Sequence, residues 1–502
     1  MFKFRFISAI LFLFFCELLS QSFEKFYSFD NIDISSFDYK IIENENIRII
    51  GRVGFNNKEF LLHASLDKKG DLINYCIHND ESLPHFFPSN IITSQGKYYT
   101  ITNQPYISST LVSMNSEDCN FNINKEIRSY HSPNSFFLAN DFCLVTDSTY
   151  AIAIVDNKDN ANFGYSTLRI DYNKLNGDTI WSRTFRKFGF YHTANEIKFI
   201  HDSLLVVASN IFKPTYNPKD PMSLSSYLLF YSITGKLIKE LRVNNHYPIL
   251  KDFVIIDSFI YCAGVDTMDS ENEWHADVPV VWKMDYKGNI IWSKDFFGRD
   301  FIIKNGSLMH SILYDKERNL LVVAGLTAKR SILNLNYIER QHLVGILSKD
   351  GEIRDIRYLS KDTSYITDYS FDLDIDKNSI WTSGARYKND GSSQRETQAF
   401  LMKIDWNDLN CNSNKSDDKI VIYPEYYFNQ NNNKIEFKSI AKEKFEIKLY
   451  SILGAELLSK ELKLLEQIES IDLNYLAAGP YIISLGKCNA SHSMQSKLIF
   501  KN

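Results

Sequence analysis

The chain has 502 residues, 44% of them hydrophobic and 23% charged, which excludes a wholly disordered protein. Its formal net charge of −5 argues against a surface for nucleic acid or for an anionic membrane. Aromatic residues make up 14% of the chain, and this composition favours β-strands. The length predicts either two or more domains or one large repeat domain.

The amino terminus has the layout of a secretory signal peptide. Lys3 and Arg5 precede an apolar run over residues 6–15, and the small Ser20 lies at the expected cleavage position. That run is about ten residues long, short of the roughly 20 needed to span a bilayer. We therefore expect residues 1–20 to be removed by cleavage after Ser20. No later segment is long and apolar enough to cross a membrane, so no transmembrane segment is expected in the mature chain.

Six of the 7 cysteines remain after this cleavage, and an even number permits disulfides in an exported chain. They are widely spread and form no CxxC or CxxH pair, so their spacing supports no zinc site. Most lie in apolar strand patterns, as Cys262 does, and we interpret them as small buried hydrophobic residues. The sequence leaves their pairing open.

Short apolar strands repeat between residues 38 and 410, four to a unit, with turn residues between them. Before the fourth strand, Asp or Ser stands three residues ahead of a turn glycine: Asp67/Gly70, Ser232/Gly235, Asp285/Gly288 and Ser348/Gly351. Glycine supplies positive φ in a hairpin, and Asp or Ser can bond the turn backbone. A second set of glycines is expected to end the second strand: Gly51, Gly264, Gly325 and Gly384.

Seven such units begin near Asp38, Phe86, Ser135, Ala194, Ile249, Asn305 and Tyr365. Four strands per unit, at a pitch of about 53 residues, predict a seven-bladed β-propeller over residues 21–410. The last unit has only three strands, so we expect residues 23–34 to supply its fourth strand and close the ring. The Asp-x-x-Gly-x-Ile-x-Trp pattern around Trp292 resembles quinoprotein-like or delta-60-like propellers.

Residues 411–418 are polar and without apolar periodicity, and they are predicted to be a linker. Short alternating strands follow over residues 419–502, beginning at 419–423, and predict a small immunoglobulin-like β-sandwich. The chain is thus expected to be all-β, with a seven-bladed propeller followed by this sandwich.

This last segment resembles the type A carboxyl-terminal sorting domain of the type IX secretion system of Bacteroidota. The resemblance rests on a hairpin around Gly454, on a segment from Ile471 to Tyr481 and on the final strand. The residues that match the family pattern are Tyr423, Pro424, Gly454, Asp472, Leu476, Gly479 and Tyr481. The resemblance implies that the type IX machinery is a partner, and that the protein is secreted or attached to the outer-membrane surface.

The sequence contains no nucleophile elbow, no zinc-protease motif, no dinucleotide-binding motif and no P-loop. No catalytic residue, metal ligand or cofactor is therefore assigned. The segment from Asp372 to Asp376 superficially resembles the start of a calcium loop, but Lys377 stands where that loop needs glycine. Its alternation with apolar residues favours an inner strand of the propeller.

Four histidines lie in the expected connections between one blade and the next: His85, His131, His192 and His246. Such connections emerge on one face of a propeller, around the mouth of its channel. Together with Tyr247 and with Trp274 from a long loop, they are candidates for stacking on sugars or holding a metal. The alternative is that histidine is simply tolerated in polar loops.

We therefore expect a secreted or surface propeller that binds or adheres, with a glycan or protein ligand and no nucleic-acid partner. Two alternatives stay open. The first is a glycan lyase or hydrolase whose site is built from dispersed loops. The second is a structural surface protein.

Overall fold

The computed structural model describes residues 22–27, 33–42, 46–55, 58–78, 86–104, 108–115, 121–128, 137–157, 166–187, 189–213, 224–243, 248–268, 276–296, 308–330, 338–358, 365–388, 397–409, 425–429, 434–438, 443–451, 456–464, 469–474, 476, 479–487 and 494–501. The chain divides into two compact units between Cys411 and Asn412. The predicted signal peptide, its predicted cleavage site and the predicted linker lie outside the described residues.

The first unit consists of seven four-stranded antiparallel sheets. Its strands are β1 (Phe23–Tyr27), β2 (Asp33–Ile42), β3 (Asn46–Phe55), β4 (Lys58–Asp67), β5 (Leu72–His78), β6 (Phe86–Ser94), β7 (Lys97–Gln104), β8 (Ser108–Asn115), β9 (Phe121–Arg128), β10 (Phe137–Thr146), β11 (Thr149–Asn157), β12 (Ser166–Lys174), β13 (Thr179–Phe185), β14 (Tyr191–Ile200), β15 (Leu204–Phe212), β16 (Leu224–Ser232), β17 (Leu237–Arg242), β18 (Pro248–Ile256), β19 (Phe259–Met268), β20 (Ala276–Met284), β21 (Ile290–Asp295), β22 (Leu308–Asp315), β23 (Leu320–Arg330), β24 (Ile338–Ser348), β25 (Ile353–Tyr358), β26 (Tyr365–Ile375), β27 (Ser379–Lys388) and β28 (Thr397–Asp405). A 3₁₀ turn (Trp406–Asp408) follows β28.

Each sheet is one blade; in blades one to six the first strand in the chain is the innermost, and in blade seven the innermost strand is β26. The inner strands are β2, β6, β10, β14, β18, β22 and β26. Each of them contacts the next around the ring, and β26 contacts β2. This closed circle confirms the seven-bladed propeller that the repeat pattern predicts. Apolar side chains of neighbouring blades form the core between them, as Ile170, Leu205 and Leu229 do for blades three and four.

The amino-terminal strand closes the ring. In blade seven the order is β1-β28-β27-β26, with Phe23 opposite Lys403 and Tyr27 opposite Ala399. The hydroxyl of Tyr27 donates to the carbonyl oxygen of Gly70 in blade one at 2.6 Å. The closing strand is shorter than the predicted residues 23–34, because Asp33 already belongs to β2.

The predicted turns before the fourth strands are confirmed. The glycines at positions 70, 235, 288 and 351 all have φ between 75° and 87°. In each turn, the glycine N–H donates to the carbonyl oxygen three residues earlier, as Gly235 does to Ser232 at 2.8 Å. This turn contacts the preceding blade, since the indole of Trp181 on β13 donates to the carbonyl oxygen of Ile233 at 2.8 Å and a Cβ on Gly235 would lie 2.8 Å from that ring.

The prediction that the second set of glycines ends the second strand of each blade is wrong. Gly264 lies inside β19, opposite Leu250 of the inner strand β18. There a Cβ would stand 2.0 Å from the carbonyl oxygen of Ile249, because a bulge in β18 pushes that oxygen towards β19. Gly51 faces Ser36 in the same way. Glycine is therefore needed for close approach of two backbones, and it does not terminate the strand.

One cysteine departs from the expectation. Cys76 on β5 is disulfide-bonded, so it is not simply a small buried hydrophobic residue. Cys143 and Cys262 are free, and Cys262 is fully buried as its apolar surroundings predict.

The second unit has two antiparallel sheets. Its strands are β29 (Glu425–Asn429), β30 (Lys434–Lys438), β31 (Glu443–Ser451), β32 (Glu456–Leu464), β33 (Glu469–Asp472), β34 (Gly479–Lys487) and β35 (Met494–Lys501). One sheet has the order β29-β30-β33 and the other β32-β31-β34-β35. The predicted strand at residues 419–423 lies outside the described residues, whereas β29 was not predicted. The immunoglobulin-like packing of the two sheets stays a prediction.

Candidate functional site

A β-bulge interrupts four successive inner strands at the same place. The pairing of each inner strand with its neighbour skips one residue in blades three, four, five and six. The skipped residues are Asn140, Asn195, Lys251 and His310. Because a bulge re-aims side chains, these four bulges place polar residues at one level of the inner strands.

Carboxylates directly after the bulge connect one blade to the next. In three cases an aspartate Oδ2 accepts a backbone N–H of the following inner strand at 2.8–2.9 Å: Asp141 from Ile197, Asp252 from Ile312 and Asp372 from Lys40. An inner strand is an edge strand of its sheet, so the N–H groups on its open edge have no neighbouring strand to bond. The aspartates therefore hold the ring together as backbone acceptors.

Lys198 on β14 completes a charged cluster between blades three and five. Its ammonium lies 2.5 Å from Asp252 Oδ1 and 3.5 Å from Glu196 Oε1. Burial opposes the charged form of Lys198, but the carboxylates of Asp252 and Glu196 outweigh this and hold its pKa above the ordinary value. We call Asp141, Glu196, Lys198 and Asp252 the channel cluster.

Two carboxyls of the channel cluster, Asp141 and Glu196, have raised pKa values. Burial raises the pKa of Asp141 to about 7, against the hydrogen bond from Ile197. Burial and the nearby Asp141 and Asp252 raise the pKa of Glu196 well above its usual range. Tyr39 on β2 also has a raised pKa, from burial and then from Asp141 among other acids. The arrangement can store or pass a proton inside the channel.

His192 is the one residue of the predicted histidine ring that the structure describes. It belongs to β14 and not to a loop, and only 1% of it is exposed. Its Nε2 accepts the backbone N–H of Lys187 at 3.1 Å, and its ring meets Phe185 edge-on at 5.7 Å between centroids. This histidine is therefore a buried residue of a strand, and a role for it in ligand binding stays a prediction.

Burial lowers the pKa of His192 to about 4, so folding keeps it neutral. A folded-state pKa below the ordinary 6.5 means that stability is full above pH 6.5 and lost as pH falls towards 4. His192→Gln keeps an acceptor for Lys187 and removes this titration. Between pH 7 and pH 5, we expect the variant's free energy of unfolding to fall by about 2 kcal/mol less than that of the wild type. Urea unfolding at both pH values measures it.

The exposed His201 supplies the control for this prediction. His201→Asn should leave the difference between the two pH values as it is in the wild type. An unchanged pH dependence in His192→Gln would show that His192 is not held neutral by burial.

The other predicted ligand-binding residues lie outside the described residues: His85, His131, His246, Tyr247 and Trp274. Ligand binding there stays a prediction. Among the residues that the structure describes, no group of three or more His, Cys, Asp or Glu is placed to hold a metal ion. In the same part of the chain, no helix is long and apolar enough to cross a membrane.

Part of the sorting-domain pattern forms a turn. Asp472 ends β33, and its Oδ1 accepts the backbone N–H of Asn474 at 2.8 Å. The N–H of Leu476 donates to Leu473 at 3.0 Å, so Asp472 and Leu476 shape the connection that leads to β34. Gly479 begins β34, where Tyr481 pairs with Ser451. Tyr423, Pro424 and Gly454 lie outside the described residues.

The channel cluster is not predicted from the sequence. A signal was present, since Asp141, Asp252 and Asp372 fall at the same place in three inner strands. The prediction that Asp372 belongs to an inner strand is confirmed, since it lies in β26.

Residues 422–501 match the secretion system C-terminal sorting domain family, as the resemblance predicts. No curated protein matches the chain.

Solved structures similar to the chain include an ulvan lyase of polysaccharide lyase family PL25. Its TM-score is 0.49 at 7% identity, covering 75% of this chain and 95% of that one. The β-propeller domain of the Trilobed protease from Pyrococcus furiosus has a TM-score of 0.38 at 11% identity, covering 74% and 98%. A DUF4221 family member from Bacteroides vulgatus has a TM-score of 0.33 at 12% identity, covering 76% and 96%. At these scores none of them bears on the activity of this chain.

Proposed function

We propose that the propeller is a binding or adhesion module for a glycan or protein ligand outside the cell, with no catalysis of its own. The sorting domain implies a secreted or surface-attached protein. That domain is an address, so any recognition belongs to the propeller.

The proposal rests on the hydrogen bonds by which the channel aspartates join neighbouring blades. Asp141, Asp252 and Asp372 all accept backbone N–H groups of neighbouring blades. Asp252 is occupied at both oxygens, since its Oδ1 also receives Lys198. A hydrolase needs one carboxyl as acid and another as base or nucleophile, both free to reach substrate. Carboxylates committed to joining blades are poorly suited to that work.

Glu196 favours the alternative of an enzyme. Its pKa is raised, and the hydrogen bonds of the described residues do not commit it to a backbone N–H. A protonated carboxyl beside an ammonium is a reasonable general acid. The two functions differ in what Glu196→Gln does, because binding alone does not need its proton.

The test is thermal unfolding of the full mature chain with a panel of glycans and divalent metals. A ligand at about 100 times its Kd should stabilise the protein by roughly 2.7 kcal/mol and raise the midpoint. We expect a shift specific to one glycan class, lost in Tyr247→Phe. Glu196→Gln is expected to keep the shift, and no glycan of the panel should be cleaved.

Cleavage of a panel member that stops in Glu196→Gln would contradict the binding-only function and favour the lyase or hydrolase. A shift with metals alone would contradict a glycan ligand. His192→Ala is unsuitable as a site variant, because removal of a buried ring would lower stability without touching a ligand.

A further inference from the structure

Lys251 stands apart among the cations of the inner strands. It occupies the bulge of β18, outside the ladder of hydrogen bonds, and His310 occupies the same place in β22. The two strands contact each other in the ring. Lys251 keeps part of its surface accessible although it belongs to an innermost strand, as expected for a side chain on the channel wall.

The other lysines of the inner strands, and Arg52 on the adjoining strand β3, have carboxylate partners. Lys40 lies 3.2 Å from Asp372, Lys198 lies 2.5 Å from Asp252, and Arg52 on β3 lies 2.9 Å from Asp38. Within the described part of the chain, Lys251 makes neither a hydrogen bond nor an ion pair. Burial alone lowers its pKa, which fits the lack of a nearby carboxylate.

His310 is also without a partner at one ring nitrogen. Its Nε2 is buried, and no hydrogen bond reaches it in the described residues. Burial and then the charge of Lys251 lower its pKa to about 3, so the ring is neutral and the lysine lies near it. The ammonium of Lys251 thus acts on the imidazole of His310, across two inner strands that contact each other.

A partly buried cation without a counter-charge is unfavourable, and so is a buried polar atom without a hydrogen bond. An oxyanion would supply both the counter-charge and the missing hydrogen bond, since its oxygens accept hydrogen bonds from the ammonium and from an imidazole N–H. We propose that Lys251 and His310 form an oxyanion site in the channel, which takes a carboxylate or phosphate group. This site adds to the proposed binding function that the ligand carries a negative charge. It rests on that function only if the anionic group is part of the extracellular ligand.

The first experiment uses the full mature chain and three probes: sodium acetate, sodium glucuronate and sodium phosphate, each against sodium chloride at equal ionic strength. We expect the probes to raise the midpoint of unfolding above that in chloride, because they bind the folded state. Lys251→Met should abolish this rise and, without anions, melt a few degrees above the wild type, since an unpaired cation is gone. Lys174→Met, at an exposed turn, should respond as the wild type does.

The second experiment needs no variant to fold. Reductive methylation of the wild-type chain, followed by peptide mass spectrometry, reports the reactivity of each lysine. Phosphate should slow the modification of Lys251 severalfold and leave Lys174 unchanged. Equal midpoint shifts in wild type and Lys251→Met, no shift beyond chloride, or equal protection of the two lysines would each overturn the site.

The two proposals fail separately. A shift with small anions but with no glycan supports the oxyanion site and contradicts an extracellular glycan ligand. A shift with neutral glycans alone, kept in Lys251→Met, overturns the oxyanion site and leaves the binding function standing. A larger shift with glucuronate than with acetate supports the site and identifies an acidic sugar as the source of its carboxylate.

Discussion

A chain that begins at Asp33 is expected to unfold at a much lower temperature than the mature protein, because blade seven then lacks β1. The loss includes the ladder from Phe23 to Tyr27 and the contacts that β1 makes with blade one. Lys25 pairs there with Asp71 at 2.5 Å, and Tyr27 bonds Gly70. We expect the free energy of unfolding to fall by more than about 4 kcal/mol, since a ladder and buried contacts disappear together.

Point variants of Tyr27 separate packing from hydrogen bonding. Its ring packs on Phe37 with 4.9 Å between centroids. Tyr27→Ala should cost about 3 kcal/mol through lost packing, and Tyr27→Phe about 1 kcal/mol through the lost hydrogen bond. Tyr75→Ala is the control, since Tyr75 is 42% exposed on β5. Urea unfolding measures all of them, and equal stability of the shortened and mature chains would contradict closure by β1.

The closing strand could be predicted because it follows from counting. The last unit has three apolar strands where the others have four, and the segment around Phe23 was the unassigned strand pattern. Blade number and inner-strand positions follow from the same period-two pattern, since alternate residues must be buried on a sheet face. Blade number and strand positions depend on residues that are close in the sequence, so one sequence is enough to predict them.

The channel cluster could not be predicted in this way. Asp141 bonds the backbone of Ile197, 56 residues later, and Asp252 bonds that of Ile312, 60 residues later. Such spacing is about one blade, so the partners meet only when the ring has formed. A polar residue in an apolar strand gives no sign of which backbone group it meets. His192 was placed in a loop for a related reason, because its strand runs further than the apolar pattern does.

The recurrence of glycine in the second strands is visible in the sequence, but its physical cause is not. They recur at one place in four blades, which suggested a strand end. Their actual reason is the bulge in the neighbouring inner strand, which the sequence of the glycine's own strand does not contain. Ser209 and Ile154 stand at this place in blades four and three, so the requirement depends on how closely each carbonyl approaches.

Gly264→Ala is therefore expected to be severely destabilising. The new Cβ would lie 2.0 Å from the carbonyl oxygen of Ile249 and 3.1 Å from the ring of Trp282, a fully buried side chain. Backbone and indole are both held by blade packing, so relief requires the bulge to move. Overpacking of this kind belongs among the largest single-site effects, and we expect a loss above about 4 kcal/mol, measured by urea unfolding of the full mature chain.

Gly96→Ala is the matched control, because Gly96 has φ +72° but no atom within 4 Å of a new Cβ. It should cost about 1 kcal/mol, the expense of the left-handed backbone alone. Gly264 has no left-handed φ, so Gly264→Ala reports a steric clash without left-handed strain, and Gly96→Ala reports left-handed strain without a clash. If Gly264→Ala were no worse than Gly96→Ala, the carbonyl of Ile249 would be free to withdraw. The bulges would then be adaptable, and they could not hold Lys251 and His310 at a fixed level of the channel.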